Sequence, residues 1–327
     1  MSSERKTQPV LEVLTPGPLN SIQDRGRFGY QRLGIAEAGA MDALSFVAAN
    51  RLVGNGDNEA ALEITIMGPT LRFLKETVFS LTGADLSTAL DGESLGIGGR
   101  YNAQAGQILT FGPRKRGCRA YLAVQGGFEA PRVLGSRSTY LYAGFGGLQG
   151  RALAKGDILA RYVPITPRPD SPHRLPEPFL LPDDGPRTLR VIMGPNEDRF
   201  TEKGIKTFLE SAYHVTPESN RMGYRLEGPE IEHAKGPIIV SESTPLGAIQ
   251  VPGQGKPLVL LHERGTTGGY TKIACIITAD IDVIAQAPFG QALRFKTVRV
   301  SEAHDAEAKR RQALEAWREW SRFSVLQ

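Results

Sequence analysis

Between Val163 and Pro186 the chain reads VPITPRPDSPHRLPEPFLLPDDGP, with proline at nearly every second or third position. Proline fixes φ and lacks an amide donor, so a run this dense opposes helix and sheet alike and separates whatever folds on either side. A chain of 327 residues can supply two cores, because single cores stop growing at about 250 to 300 residues. The expected organisation is a disordered tail over 1–9, an N-terminal β-rich subdomain over 10–163, a proline-rich linker over 164–187, a C-terminal β-barrel subdomain over 188–300 and a terminal helix over 301–327. The fold class is mainly β with a few helices.

In the first half short β-prone runs alternate with turn residues: LEITI from Leu62, LRFL from Leu71, TVFSLTG from Thr77, LSTAL from Leu86, QILTF from Gln107, CRAYLAV from Cys118 and DILARY from Asp157. Asp91-Gly92 is a hairpin turn signal. Many short strands at close spacing predict a closed or partly closed barrel. Asp42 is placed to cap a helix carrying Leu44, Phe46, Val47, Leu52 and Val53, and Gly54 ends it. In the second half strands are expected at LRVIM from Leu189, PIIVS from Pro237, AIQV from Ala248, PLVLL from Pro257 and ALRFKTVRV from Ala292. Helices are expected over 196–211, over 270–284 and from His304, where Trp317 and Trp320 would dock the terminal helix on its own domain.

An apolar content of 40%, a charged content of 23% and a net charge of +4 are those of an ordinary soluble chain, which argues against nucleic-acid binding. The one compact basic run before the C-terminal tail, Arg114-Lys115-Arg116, reads as a solvated turn. The N-terminal MSSERKTQPV has no apolar core of a signal peptide and no segment is apolar enough to span a membrane, so the cytoplasm is the expected location. Cys118 and Cys275 stand far apart and read as buried thiols, and the five histidines have no metal-ligand spacing.

Two familiar patterns fail on context. Gly92-Glu93-Ser94-Leu95-Gly96 matches GxSxG, but the serine follows a hairpin turn where a nucleophile elbow needs strand, sharp turn and helix. No GxxxxGK[ST] loop occurs, since Gly255-Lys256 is followed by Pro257. The site-building stretches lie elsewhere. From Gly17 to Asp42 charged residues alternate with glycines, and Asp24, Arg25 and Arg27 bracket Gly26; a guanidinium fork there matches carboxylate or phosphate. A second glycine-rich region carries Ser136, Arg137, Ser138 and Thr139. In the second half Arg221 and Arg225 surround Gly223, Gln250 lies in GAIQVPG, and Glu263-Arg264-Gly265-Thr266-Thr267-Gly268-Gly269-Tyr270 reads as a hydroxyl-rich turn entering a helix. Such a turn can cradle an anion or simply cap the helix. Arg27-x-Gly29-Tyr30 and Ile66-Met67-Gly68-Pro69 are echoed by Arg221-x-Gly223-Tyr224 and Ile192-Met193-Gly194-Pro195, which suggests two related barrels.

The runs SIQDRGRFGYQRLGIAEAGAMD, YLAVQGGFEAPRVLGSRSTY, FGGLQGRALAKGD, SNRMGYRLEG, GAIQVPGQGKPLVLL and TTGGYTKIA resemble the KipA family, also called allophanate hydrolase subunit 2 or the biotin-dependent carboxyltransferase A/B family. The resemblance covers nearly all of residues 10–300. It implies cyclophilin-like β-barrel subdomains, a KipI-like B subunit and a LamB/YcsF-like A subunit as partners, and an active site where two proteins meet. The family's relatives include the C subunit of the bacterial ATP-dependent 5-oxoprolinase and part of urea carboxylase. The resemblance thus implies a subunit that helps couple ATP cleavage to the opening of 5-oxoproline to L-glutamate. Phosphorylation of the lactam oxygen would make a leaving group, and arginines would stabilise the charge that develops. Arg27 and Arg221 are the expected anion holders with Asp24 orienting one of them, Gln250 binds the amide, and Arg137, Thr266, Thr267 and Tyr270 add polar contacts. ATP would occupy a pocket shared with the partner. The alternatives are carboxyl transfer from carboxybiotin to urea or a related amide, with biotin the cofactor, and a non-catalytic regulator that binds a KipI-like kinase inhibitor. The chain departs from the family's pattern at Glu263, near a position where relatives often carry aspartate.

Overall fold

The computed structural model describes residues 6–163, 174–175, 181 and 184–323, with side chains described to residue 316. Most of the proline-rich segment, and the side chains of Trp317 and Trp320, lie outside the described residues. The chain forms two compact units, one of Met1–Arg27, Ala38–Asp183 and Glu315–Gln327, the other of Phe28–Glu37 and Asp184–Leu314. Among the described residues no helix is long and apolar enough to cross a membrane.

The first unit contains β1 (Thr7–Thr15), β2 (Asn20–Gln23), α1 (Ala43–Leu52), β3 (Ala61–Thr65), β4 (Thr70–Phe73), β5 (Thr77–Asp85), β6 (Ala89–Leu90), β7 (Glu93–Ser94), β8 (Gly99–Ala103), β9 (Ile108–Thr110), β10 (Arg116–Val124) and β11 (Ile158–Tyr162). They form two antiparallel sheets, β11-β1-β4-β9-β6-β7 and β2-β3-β10-β5-β8. The expected barrel is thus replaced by two open sheets. Val10, Leu11, Val13, Leu71, Phe73 and Leu109 of the first pack on Leu62, Ile64, Leu81, Ala120, Leu122 and Val124 of the second as one core. Strand count and spacing are common to barrels and sandwiches; what differs is the far face of the second sheet. There Arg119 and Tyr121 alternate out of the core, beside Glu63 and Thr65 of β3, and α1 covers them. Thr82 Oγ1 donates to Ser45 O at 2.7 Å, Ser80 Oγ to Ala49 O at 2.7 Å, and the Phe46 and Tyr121 rings meet edge to face. A strand covered on both faces loses polar alternation, which is why CRAYLAV reads as almost continuously apolar.

Local chemistry in this unit follows the sequence closely. Asp42 caps α1, its carboxylate accepting from Ser45 N at 2.8 Å and from Ser45 Oγ at 2.6 Å. Asp91 and Gly92 both take positive φ, 48° and 87°, and join β6 to β7 as the two-residue hairpin expected of Asp-Gly. Ser94 sits exposed on β7, with no elbow and no following helix. β1 begins at Thr7, paired with Tyr162, so residues 7–9 belong to the first sheet and not to the tail expected over 1–9.

The second unit contains β12 (Arg187–Met193), α2 (Glu202–Glu210), β13 (Tyr213–Val215), β14 (Gly223–Glu227), β15 (Ile238–Ser243), β16 (Ala248–Gln250), β17 (Leu258–Leu260), β18 (Thr267–Tyr270), β19 (Lys272–Ile276), α3 (Ile281–Ala285), β20 (Ala292–Thr297) and the first part of α4 (Val300–Phe323). Seven strands close a barrel in the order β12-β19-β16-β17-β14-β13-β20, with β12 and β20 pairing in parallel to complete it. Phe208 of α2 stacks on Phe295 of β20 at 4.6 Å between centroids, and Thr201 caps α2 by accepting from Gly204 N. β15 and β18 form a separate two-stranded ribbon.

Three expectations fail here. The helix expected over 270–284 is β18 and β19, followed by a 3-10 turn and the short α3; Lys272, Ile273 and Ala274 are buried among neighbouring strands, and tertiary pairing overrides local propensity. The helix expected over 196–211 begins only at Glu202, after a 3-10 turn at Glu197–Arg199. The internal echo is not structural: Gly29 and Gly34 take positive φ in an irregular loop, whereas Gly223 and Tyr224 lie in β14.

Candidate active site

In the first unit the buried Asp24 organises the loop that follows β2. Its Oδ1 accepts from Gly26 N at 2.8 Å, Ser136 Oγ at 2.6 Å and Ser138 Oγ at 2.6 Å, and its Oδ2 accepts from Arg137 N at 2.6 Å. Ser138 Oγ also accepts from Asp24 N, and Ser136 Oγ from Ser138 N. Two glycine-rich segments more than a hundred residues apart are thereby tied at one carboxylate. Arg27 is 1% exposed; its Nη2 donates to Ser138 O at 2.5 Å and its guanidinium lies 4.8 Å over the Phe145 ring. Asp24 and Arg27 are joined through Ser138, which neither Asp-Arg proximity nor a motif announces. Gly146 makes room: a Cβ there would stand 2.1 Å from Ser138 O and 2.9 Å from Arg27 Nη2. Arg137 is buried with its guanidinium 5.0 Å over the Tyr162 ring, and its Nε has no hydrogen-bond partner.

In the second unit Arg221 Nε meets Glu263 Oε1 at 2.6 Å, and Glu263 N donates to Arg221 O. Glu263 therefore reaches the arginine directly. The buried Arg264 donates from Nε to Thr244 O at 2.8 Å, and its Nη1 lies 3.5 Å from Glu37 Oε2. Burial lowers the Arg264 pKa and the Glu37 carboxylate opposes that shift; burial pushes the neighbouring Cys275 thiol up to about 11, against the pull of Arg264. Cys118 and Cys275 carry thiols outside any disulfide, the first buried and the second partly so.

Gln250 ends β16 and is 4% exposed; its Nε2 has no hydrogen-bond partner. A Cβ on Gly268 would come within 2.6 Å of that nitrogen. Thr266 and Thr267 do not start a helix. Thr267 and Tyr270 are exposed at the ends of β18, whose partner β15 carries the exposed Ile238 opposite Tyr270. The helix-start anion cradle expected there is therefore not formed, because the segment pairs as a strand. What remains is a buried amide donor packed against Gly268 of β18.

Sequence reasoning missed Lys272 and Glu242, and named Ser138 only as part of a polar, glycine-rich run. Lys272 is paired with Gln250 on the neighbouring strand, and its Nζ lies 2.7 Å from Glu242 Oε1. The one available signal was a lysine inside the apolar run KIACII.

Residues 33–297 match the carboxyltransferase domain, subdomain A and B. The chain is 38% identical over 312 residues to the C subunit of the Escherichia coli 5-oxoprolinase, covering 94% of this chain and 98% of that one. It is 36% identical to the corresponding C subunit of the Haemophilus influenzae 5-oxoprolinase, covering 90% and 93%. It superposes on the crystal structure of the Kluyveromyces lactis urea amidolyase with a TM-score of 0.89 and 32% identity, covering 97% of this chain and 20% of that much longer one.

Proposed function

The chain belongs to the family of the carboxyltransferase domain, subdomain A and B, and on that premise we propose that it is one subunit of a multi-subunit enzyme that binds a small amide and stabilises charge on its carbonyl as it reacts. Gln250 carries this reading. A buried amide nitrogen without an acceptor costs free energy, and a ligand carbonyl reaching Gln250 Nε2, which packs closely on Gly268, would remove that cost. An amide resists attack because resonance is lost when its carbonyl carbon becomes tetrahedral, and a preorganised donor at the oxygen offsets part of that loss. In the second unit Arg221 is the charge we assign to the developing anion, and Thr266, Thr267 and Tyr270 border the ligand; in the first unit Asp24 fixes Arg27 through Ser138, and Arg27 and Arg137 are its candidate anion holders.

The finer reading is 5-oxoproline opened to L-glutamate, with a KipI-like B subunit and a LamB/YcsF-like A subunit as partners and the barrel of the cyclophilin-like type. Its support is the end-to-end similarity to the C subunits of two 5-oxoprolinases. The second reading is carboxyl transfer to urea or a related amide; the family's description and the urea amidolyase superposition favour it. The helix that follows the glycine-rich loop offers no phosphate cradle at its start, because the carboxylate of Asp42 already accepts from Ser45 N in the first turn of α1; ATP would occupy a pocket shared with the partner, and biotin enters only under the second reading.

Co-expression with B- and A-type subunits, followed by assay of glutamate formed from 5-oxoproline with ATP, tests the first reading. Glutamate in step with ATP cleavage is expected. A well-folded assembly that makes none, but carboxylates urea when supplied with a carboxylated biotin carrier, replaces it with the second.

A further inference from the structure

We infer that Lys272 receives a carboxylate beside the amide donor of Gln250, so that the site of the second unit takes an amide that is also an anion. The inference rests on the reading that this site binds an amide, and adds the ligand's second functional group. Gln250 and Lys272 face each other as partners on β16 and β19, at the register shift between Ile249 and Gln250. The backbone at this point is held from two sides: Lys272 N donates to Asn196 Oδ1 at 2.9 Å, and Gly194 passes so close that a Cβ would stand 2.3 Å from Lys272 O.

The ion pair that Lys272 makes is lopsided. The lysine side chain is 4% exposed, whereas the Glu242 side chain 2.7 Å away is 43% exposed and lies on the β15–β18 ribbon, outside the barrel. Lys272 lowers the Glu242 pKa, with Asn196 adding a hydrogen bond to the same carboxylate. A buried ammonium must keep a counter-ion, because removal of its partner strands an uncompensated charge. A half-solvated carboxylate, in contrast, leaves for water at little cost. The arrangement is that of an exchangeable counter-ion: a ligand carboxylate takes the place of Glu242 while the ligand carbonyl accepts from Gln250 Nε2. A neutral amide such as urea or pyrrolidinone offers nothing to exchange. The ring of 5-oxoproline carries both groups on one small frame, which bears directly on the choice between the two readings above.

The test is binding of 5-oxoproline, pyrrolidinone and urea to the full chain, measured by calorimetry or ligand-observed NMR. A charge-assisted contact predicts that 5-oxoproline binds about tenfold or more tightly than pyrrolidinone, its analogue without the carboxylate. Lys272→Met should erase that gap by weakening 5-oxoproline alone, and Lys272→Arg should keep part of it. Glu242→Gln removes the competitor from a partly exposed position and should tighten 5-oxoproline binding several-fold, about threefold to tenfold, leaving pyrrolidinone unchanged. A lysine that merely ties the ribbon to the barrel predicts the opposite sign, with Glu242→Gln weakening both lactams equally. That result, or failure of the unaltered chain to bind either lactam, overturns the inference. The function reading fails separately: an assembly that makes no glutamate, from a chain that still prefers the carboxylated lactam, sinks the reaction and spares the site.

Discussion

Arg221 Nε and Glu263 Oε1 stand 2.6 Å apart with both side chains 2% exposed, which makes them a fully desolvated ion pair on the second unit. Desolvation makes such a pair costly to break from one side. Glu263→Ala should lower the unfolding free energy by about 3–5 kcal/mol, read from urea melts, because it leaves a guanidinium buried without its carboxylate. Glu263→Asp withdraws the carboxylate by one methylene and should fall between the two. Unchanged stability in Glu263→Ala would mean that Arg221 is compensated by its other contacts.

Asp24 accepts four hydrogen bonds, two from backbone amides and two from serine hydroxyls. An asparagine cannot accept on both sides, so Asp24→Asn should cost about 2–4 kcal/mol: the bond from Arg137 N is lost, an amide donor is turned against that donor, and the other three bonds lose their charge assistance. Amide exchange at Gly26 and Arg137 should quicken well beyond that at Leu122 in the core. Equal protection at all three would show that the carboxylate is not what ties the segments.

Gly146 and Gly135 both hold positive φ, 74° and 80°, but only Gly146 has neighbours where a Cβ would go. Gly135→Ala should cost about 1–2 kcal/mol for the left-handed backbone alone. Gly146→Ala adds a clash with Ser138 O, so its loss should exceed that of Gly135→Ala by about 1–3 kcal/mol. Thermal melts of the two variants side by side give the comparison.

Cys275 gives a pH dependence with a definite sign. Its thiol sits at about 11 in the folded chain against an ordinary 9.0, so the folded state holds its proton longer than the unfolded state does. The stability this contributes is complete below pH 9 and is lost as pH rises through 11. Unfolding free energy measured across that window should fall by up to about 2 kcal/mol more in the unaltered chain than in Cys275→Ala. Parallel curves would place the thiol in contact with water.

Much of the local structure is legible in the sequence because one or two residues decide it. Asp91-Gly92 needs two consecutive positive φ values and has them, and Asp42 finds the free amide of its helix. Closure is less legible. The N-terminal strands read as a barrel because spacing does not say whether the last strand returns to the first, whereas the barrel that does close relies on the pairing of β12 with β20 across about a hundred residues. The segment TTGGYTKIACII misleads for a related reason: hydroxyl and glycine residues before an apolar run suit a capped helix as well as a turn into a buried strand. Among the candidate residues, Asp24 and Arg27 of the first unit and Arg221 and Gln250 of the second stand out by residue type and company. Lys272 does not, because its significance depends on Glu242 thirty residues away and on Gln250 across a ladder.

Residues Phe28–Glu37 leave the unit that precedes and follows them and count among the second one, where Glu37 approaches Arg264 across 227 positions of sequence. During synthesis at roughly 5–20 residues per second, roughly ten to forty-five seconds pass between the emergence of these two residues. The early segment must stay uncommitted for that interval, open to chaperones or to mispairing, and any attempt to express the barrel from Asp184 onward produces a protein lacking a piece of itself. Adding that decapeptide back as a separate strand of synthetic chain should be the quickest way to learn whether the orphaned barrel still knows its shape.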